Sequence, residues 1–192
     1  NYSTLVYAKR AETVIAAHAA EMAMATPLTP AKPLFMYLAL QSVHAPIEVP
    51  DSYVEPYANL SITRRKFAGM VAAMDECVGR VVAALDKAQM LATTAIFFTT
   101  DNGGPVGALN GHPRGIGGAT GSQNWPLRGG KGAYFQGGVR GTAWVHGAFL
   151  HSSLVGQTTN ALMHAVDLHA TIVALAGGTS RMSTALRVAE AA

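Results

Sequence analysis

Charge, cysteine and long apolar runs are what this sequence has least of. Asp, Glu, Lys and Arg make up only 13% of its 192 residues. That is little for a surface facing water on every side, so part of the exterior is expected to be covered by a partner or by further sequence of the same domain. There is one cysteine, Cys77, which excludes an intrachain disulfide and any zinc site built on cysteines. No apolar stretch approaches the ~20 residues of a membrane-crossing helix, and no signal peptide is expected in these residues. Aromatic residues are also sparse, and none interleaves with the single tight basic cluster, Arg64-Arg65-Lys66. A nucleic-acid groove needs that interleaving, so the cluster is expected to be a solvated helix start, with no nucleic-acid partner.

What is present is a globular composition, 49% hydrophobic, long enough for one core. Residues 5–25 carry Leu5, Ala8, Ala11, Ile15 and Ala19 at helical spacing, which predicts a helix ended by the prolines from Pro27 to Pro33. Residues 33–40, PLFMYLAL, are apolar on both faces and of strand length, as in a buried parallel sheet. Residues 41–57 contain three prolines and read as a loop leaving that strand's carboxyl end. Residues 63–90 give the clearest helical signal, with Phe67, Met70, Val71, Met74, Val78, Val81, Val82 and Leu85 as the expected inward stripe. Residues 94–100, TAIFFTT, form a second expected strand. Strand, crossover helix and strand make a right-handed βαβ unit. Residues 103–122 are a glycine-rich loop of the length that usually carries function. A third strand is expected at 141–145, and a helix at 161–176 with Leu162, Val166, Leu168, Ile172 and Leu175 inward. Residues 179–192 form an unassigned tail.

Three places could carry chemistry. Asp101-Asn102 follows the second strand, at the sheet end where open α/β folds bind ligands. A carboxylate beside an amide carbonyl offers two hard oxygens, suited to calcium or magnesium. An ordinary Asp-Asn-Gly turn is the plain alternative. His44 lies just past the first strand, at the same end, where an imidazole can donate to an anionic oxygen or protonate a leaving group. Lys131 sits among glycines and can stabilise charge on a transferring oxyanion. Its segment lacks the Gly-x-x-x-x-Gly-Lys-Ser/Thr spacing of a phosphate-binding loop.

The ordered segments PLFMYLALQSVHAP (33–46), TTDNGG (99–104), NWPLRGGK (124–131) and GGVRG (137–141) resemble the sulfatases, most closely the arylsulfatase B-like group. The helix around Ala68-Gly69-Met70 and Met74-Asp75-Glu76 fits the same alignment, and the resemblance covers nearly the whole chain. It implies an alkaline-phosphatase-like α/β fold, here partial: a mostly parallel sheet flanked by helices over residues 1–178. It implies that Asp101 and Asn102 complete the coordination of a calcium ion (Ca2+), and that His44 and Lys131 contact the sulfate of a sulfated small molecule or glycan. Relatives of this kind are lysosomal, secreted or periplasmic. The triplets Asn1-Tyr2-Ser3 and Asn59-Leu60-Ser61 mildly favour a secretory glycoprotein.

The departures from the family pattern bear on activity. Sulfatases attack sulfur with a formylglycine made from a Cys-x-Pro-x-Arg motif. Cys77 is followed by Val78-Gly79-Arg80 and is expected to pack in the long helix. The acidic pair that opens the family's metal site is also missing. The expectation is therefore a C-terminal part of a catalytic domain, inactive alone, its missing N-terminal part a possible partner. It would be an incomplete sequence, a processed subunit or a degenerate relative. A phosphate-ester or phosphonate hydrolase of the same superfamily and a noncatalytic binding protein are the alternatives.

Overall fold

The computed structural model describes residues 2–106 and 120–177. Most of the long glycine-rich loop and the whole unassigned tail lie outside the described residues. The chain divides into two compact units, Asn1–Leu150 and His151–Ala192.

In the first unit the two long helices stand close to where the sequence predicts them. Helix α1 spans Ser3–Ala23 and buries Thr4, Ala8, Ala11 and Ile15, one stripe at steps of three and four. Within it there is neither proline nor glycine, so nothing interrupts the ladder of an alanine-rich segment. Residues 41–57 are not wholly loop. They hold a short helix α2, Asp51–Val54, started behind Pro50, and a 3-10 turn, Glu55–Tyr57. Helix α3 spans Ile62–Lys87 and buries Gly69, Met70, Ala73, Cys77 and Leu85. Of the expected stripe, Met70 and Leu85 are buried and Val71 is 39% exposed. The small residues Gly69, Ala73 and Cys77 are buried beside them, where α3 packs chiefly on α1 and α2 and short side chains let backbones come close. A Cβ on Gly69 would lie 2.8 Å from the carbonyl oxygen of Tyr53 in α2.

A polar strap crosses the same three helices. Arg80 donates to both oxygens of Glu12, at 2.7 and 2.8 Å. It also lies 3.8 Å from Glu76, and Glu76 accepts from the hydroxyl of Tyr53. The guanidinium's hydrogen bond holds the Glu12 carboxyl below its ordinary value. The Glu76 carboxylate pushes the Tyr53 phenol up to about 12. Because Glu12 is depressed in the folded state, its contribution is present above the unfolded carboxyl value and lost as pH falls through the folded one. Glu12→Gln is therefore expected to lower stability at neutral pH by at most ~1 kcal/mol, as for a half-exposed ion pair. That deficit should vanish in acid, as read by thermal melts of both proteins from pH 7 to pH 3.

The sheet differs from expectation. Strand β1, Ile96–Thr99, pairs antiparallel with strand β2, Ala143–His146, and among the described residues these two strands make up the sheet. Phe98 stands opposite Trp144 and stacks on it at 5.4 Å. The expected third strand is thus β1's partner. Residues 33–40 belong to no strand among the described residues, so the parallel βαβ unit and the mostly parallel sheet are corrected. The physical reason is that an apolar run reports burial, whereas a strand requires a neighbouring backbone. Their burial still alternates with period two. Leu34 and Met36 pack, with Ile96, on the core cluster of Ile15, Leu85 and Met90, while Phe35 and Tyr37 are exposed. Among the described residues no helix is long and apolar enough to cross a membrane.

Close to the start of α3, Arg64 donates to the Gly121 carbonyl at 2.6 Å and Arg65 to that of Leu60 at 2.9 Å. Arg64 and Arg65 of the basic cluster are therefore tied to backbone and not simply solvated.

In the second unit, helix α5 (Ala165–Leu175) is four residues shorter at its start than expected. His164 and Asp167 form its capping box. No residue of α5 is fully buried; of the expected inward stripe, Leu168 and Ile172 are half-buried, while Leu162, Val166 and Leu175 are exposed.

Candidate active site

Four loop segments build the site. His44 lies in a loop anchored to the first turn of α1, where the Ser42 hydroxyl is 2.8 Å from that of the buried Thr4 and 3.0 Å from that of Tyr2. A turn bond from the His44 N–H to the Gln41 carbonyl, 2.8 Å, closes the loop. The His44 Nδ1 is 2.8 Å from its neighbour's carbonyl, that of Ala45. A carbonyl only accepts, so Nδ1 carries the hydrogen and Nε2 of the neutral ring is the acceptor. Lys131 Nζ lies 3.3 Å from that Nε2. Two residues 87 apart in sequence, each singled out on its own, therefore meet by their side chains.

Asp101 and Asn102 follow β1 at its carboxyl end. One Asp101 oxygen accepts from the Asn102 N–H at 2.9 Å, and the Asn102 amide nitrogen donates to the Gly103 carbonyl at 2.9 Å. Among the described residues, the second Asp101 oxygen and the Asn102 side-chain oxygen take no hydrogen bond. Two hard oxygens are thus left for a cation, against the six to eight that calcium takes. No group of three or more His, Cys, Asp or Glu suited to a metal occurs among the described residues. The residues present fit one arm of a hard-cation site.

No direct hydrogen bond among the described residues joins Asp101 or Asn102 to His44 or Lys131; the link runs through backbone. The Gly103 N–H donates to the Gly138 carbonyl at 3.0 Å, and the Lys131 N–H to the Gly104 carbonyl at 3.0 Å. The glycines are there for space. A Cβ on Gly103 would stand 1.9 Å from the Gly137 oxygen, and one on Gly130 would stand 2.7 Å from the Gly104 oxygen. Short helix α4, Gln136–Val139, buries Gly137 and Gly138 at this junction.

Asn124 was not singled out from the sequence. Its side-chain oxygen accepts from the Gly104 N–H at 3.0 Å. Its nitrogen is 2.7, 3.1 and 2.8 Å from the carbonyl oxygens of Gly104, Gly129 and Gly137. The signal that could have found it is its place between two glycine-rich segments whose backbone groups need a partner. Nearby, the Arg128 guanidinium lies 3.8 Å over the Phe135 ring, and Trp125 and Tyr134 are exposed. Cys77 is fully buried in α3, where burial pushes its thiol up; it packs as expected and is no exposed nucleophile.

Residues 5–178 match the family model described as Sulfatase. Arylsulfatase J of Mus musculus is 35% identical over 92% of this chain and 26% of its own length. N-acetylgalactosamine-6-sulfatase of Homo sapiens is 32% identical over 76% of this chain and 25% of its own length. This chain therefore spans about a quarter of the length of these relatives. Among solved structures, Ps i-CgsB superposes with a TM-score of 0.78 at 28% identity. Ps i-CgsB in complex with k-i-k-neocarrahexaose gives 0.71, also at 28%; each covers 94% of this chain and 35% of the other. On the matched family model and on relatives of this identity, the chain belongs to the sulfatase family.

Proposed function

We propose that this chain carries one part of the binding apparatus of a sulfate-ester hydrolase and does not turn over substrate by itself. The observation that supports it best is the 3.3 Å meeting of Lys131 Nζ with His44 Nε2, on a loop bonded to the segment after β1. In this reading the Lys131 ammonium holds a sulfate oxygen and offsets the negative charge that builds on the leaving group. His44, with Nδ1 committed to the Ala45 carbonyl, keeps Nε2 toward the same anion and, when protonated, donates there. Asp101 and Asn102 would hold calcium as one arm of its coordination, and the bound ion would draw sulfate charge toward itself.

The covalent nucleophile is the part these residues lack. Without it the reaction path is closed, whereas loss of one oxyanion contact costs only about 3–4 kcal/mol. The purified chain is therefore expected to release no sulfate from an aryl sulfate ester; measured release above a heat-inactivated control overturns this. It is expected to retain inorganic sulfate weakly. Lys131→Ala should weaken that binding by roughly tenfold or more, the scale of one charge-assisted hydrogen bond. Equal sulfate affinity in the two proteins, by titration calorimetry, would remove Lys131 from the site. Inorganic phosphate run alongside reads the chain's preference between the two anions.

A further inference from the structure

Every polar atom of the Asn124 side chain is spent on glycine backbone. The Oδ1 end meets one N–H, that of Gly104. At the Nδ2 end three carbonyls converge, those of Gly104, Gly129 and Gly137. This pattern fixes which end is oxygen, since reversal would set an acceptor against three acceptors. Two hydrogens serve three carbonyls, so at least one is shared. Gly104 follows the Asp101-Asn102 pair, Gly129 precedes Lys131, and Gly137 opens α4. One amide thus joins the arm that carries the carboxylate to the arm that carries the ammonium. It does so from a half-buried position, with no hydrogen bond to either side chain.

We propose that Asn124 is a positioning residue that sets the spacing of these two arms, and that its amide thereby governs cation affinity and anion affinity together. The inference rests on the reading of Asp101, Asn102, His44 and Lys131 given above. Its chemistry is specific to asparagine. Glutamine adds a methylene in a junction where glycine Cβ positions are already blocked by backbone. Aspartate keeps the Gly104 N–H but turns a charge toward three carbonyl oxygens. Alanine leaves buried backbone groups with fewer partners.

The experiment uses the full chain and two ions measured apart. Calcium chloride is titrated in sulfate-free buffer, and sodium sulfate in buffer containing a chelator, so that attraction between the ions plays no part. Wild type, Asn124→Ala and Asn124→Ser are compared below their melting range, with Lys131→Ala as control. In Asn124→Ala both affinities are expected to fall about fivefold to tenfold. Asn124→Ser, which keeps a short donor and acceptor, should fall between, and it serves if the alanine variant does not fold. Lys131→Ala should lower sulfate affinity alone. Hydrogen exchange supplies a readout free of ligand. The Lys131 and Gly103 amides should exchange about tenfold faster in the Asn124 variants, while amides within α1 and α3 keep wild-type rates. Ion affinities that match wild type in a folded Asn124 variant overturn the proposal. So does faster exchange throughout α1 and α3, which would mean a general loss of stability. If wild type binds neither ion, the site reading itself has failed and this proposal falls with it, an outcome plainly distinct from the other two.

Discussion

Gly103→Ala is expected to open the junction beneath the site and to destabilise the chain by about 3 kcal/mol, the upper part of the range for overpacking. The new Cβ would sit 1.9 Å from the Gly137 carbonyl oxygen and 2.8 Å from its carbon, where ordinary contact begins at 3.4 Å. Both obstacles are backbone, so no side-chain rotation relieves them, and one segment must move by more than an ångström. The movement breaks the Gly103 to Gly138 bond first and then disturbs the bond between Lys131 and Gly104, since Gly104 is the next residue. Denaturant unfolding measures the loss, and exchange at the Lys131 amide shows where it falls. Gly79→Ala is the matched control. Gly79 lies in α3, and a Cβ there meets nothing within 4 Å. That substitution should stabilise by up to ~1 kcal/mol, because alanine in a helix loses less backbone entropy than glycine. If Gly103→Ala unfolds at wild-type denaturant concentration, the two glycine segments are not packed as described.

Ile15→Ala is the second large effect, with an expected cost of about 2–5 kcal/mol. Ile15 is 1% exposed and forms a cluster with Leu85 and Met90. Around it Leu34, Met36, Val81, Leu91 and Ile96 bring α1, α3, residues 33–40 and β1 to one point. Removing its side chain therefore leaves a cavity that several elements would have to move together to fill, and the cost should sit in the upper half of the range. Ile15→Val removes one methylene and should cost about 0.5–1.5 kcal/mol. Urea midpoints for the three proteins test the series. Wild-type stability in Ile15→Ala would show that this cluster is not the core.

How much of the site was legible can be argued residue by residue. Asp101 and Asn102 were found because their position after an aromatic, β-branched run predicts a strand end, and β1 does end at Thr99. His44 and Lys131 were each found by local setting, a proline-flanked loop and a glycine-rich segment. That the two touch was not derivable from either setting. For Asn124 the one local signal is its place between two glycine-rich segments; that four backbone groups from Gly104, Gly129 and Gly137 meet there is set by tertiary structure. Cys77 was legible for the opposite reason: its position on a helical stripe predicts burial, and burial is what it has.

By itself the sequence determined the two long helices, the place of β1 within residues 94–100, the family and the residue types available for chemistry. Each of these rests on neighbours within a few positions or on motifs in order along the chain. Tertiary structure alone decided that β1 pairs antiparallel with β2, and that Ala73 and Cys77 are buried beside Met70 and Leu85 on the packed face of α3. It alone decided that residues 33–40 pack on helices without joining a strand, and that one asparagine ties the glycine loops beneath Lys131. Strand pairing, helix-face choice and loop junctions are set by backbone groups far apart in sequence competing for the same space, and local patterns carry no record of that competition.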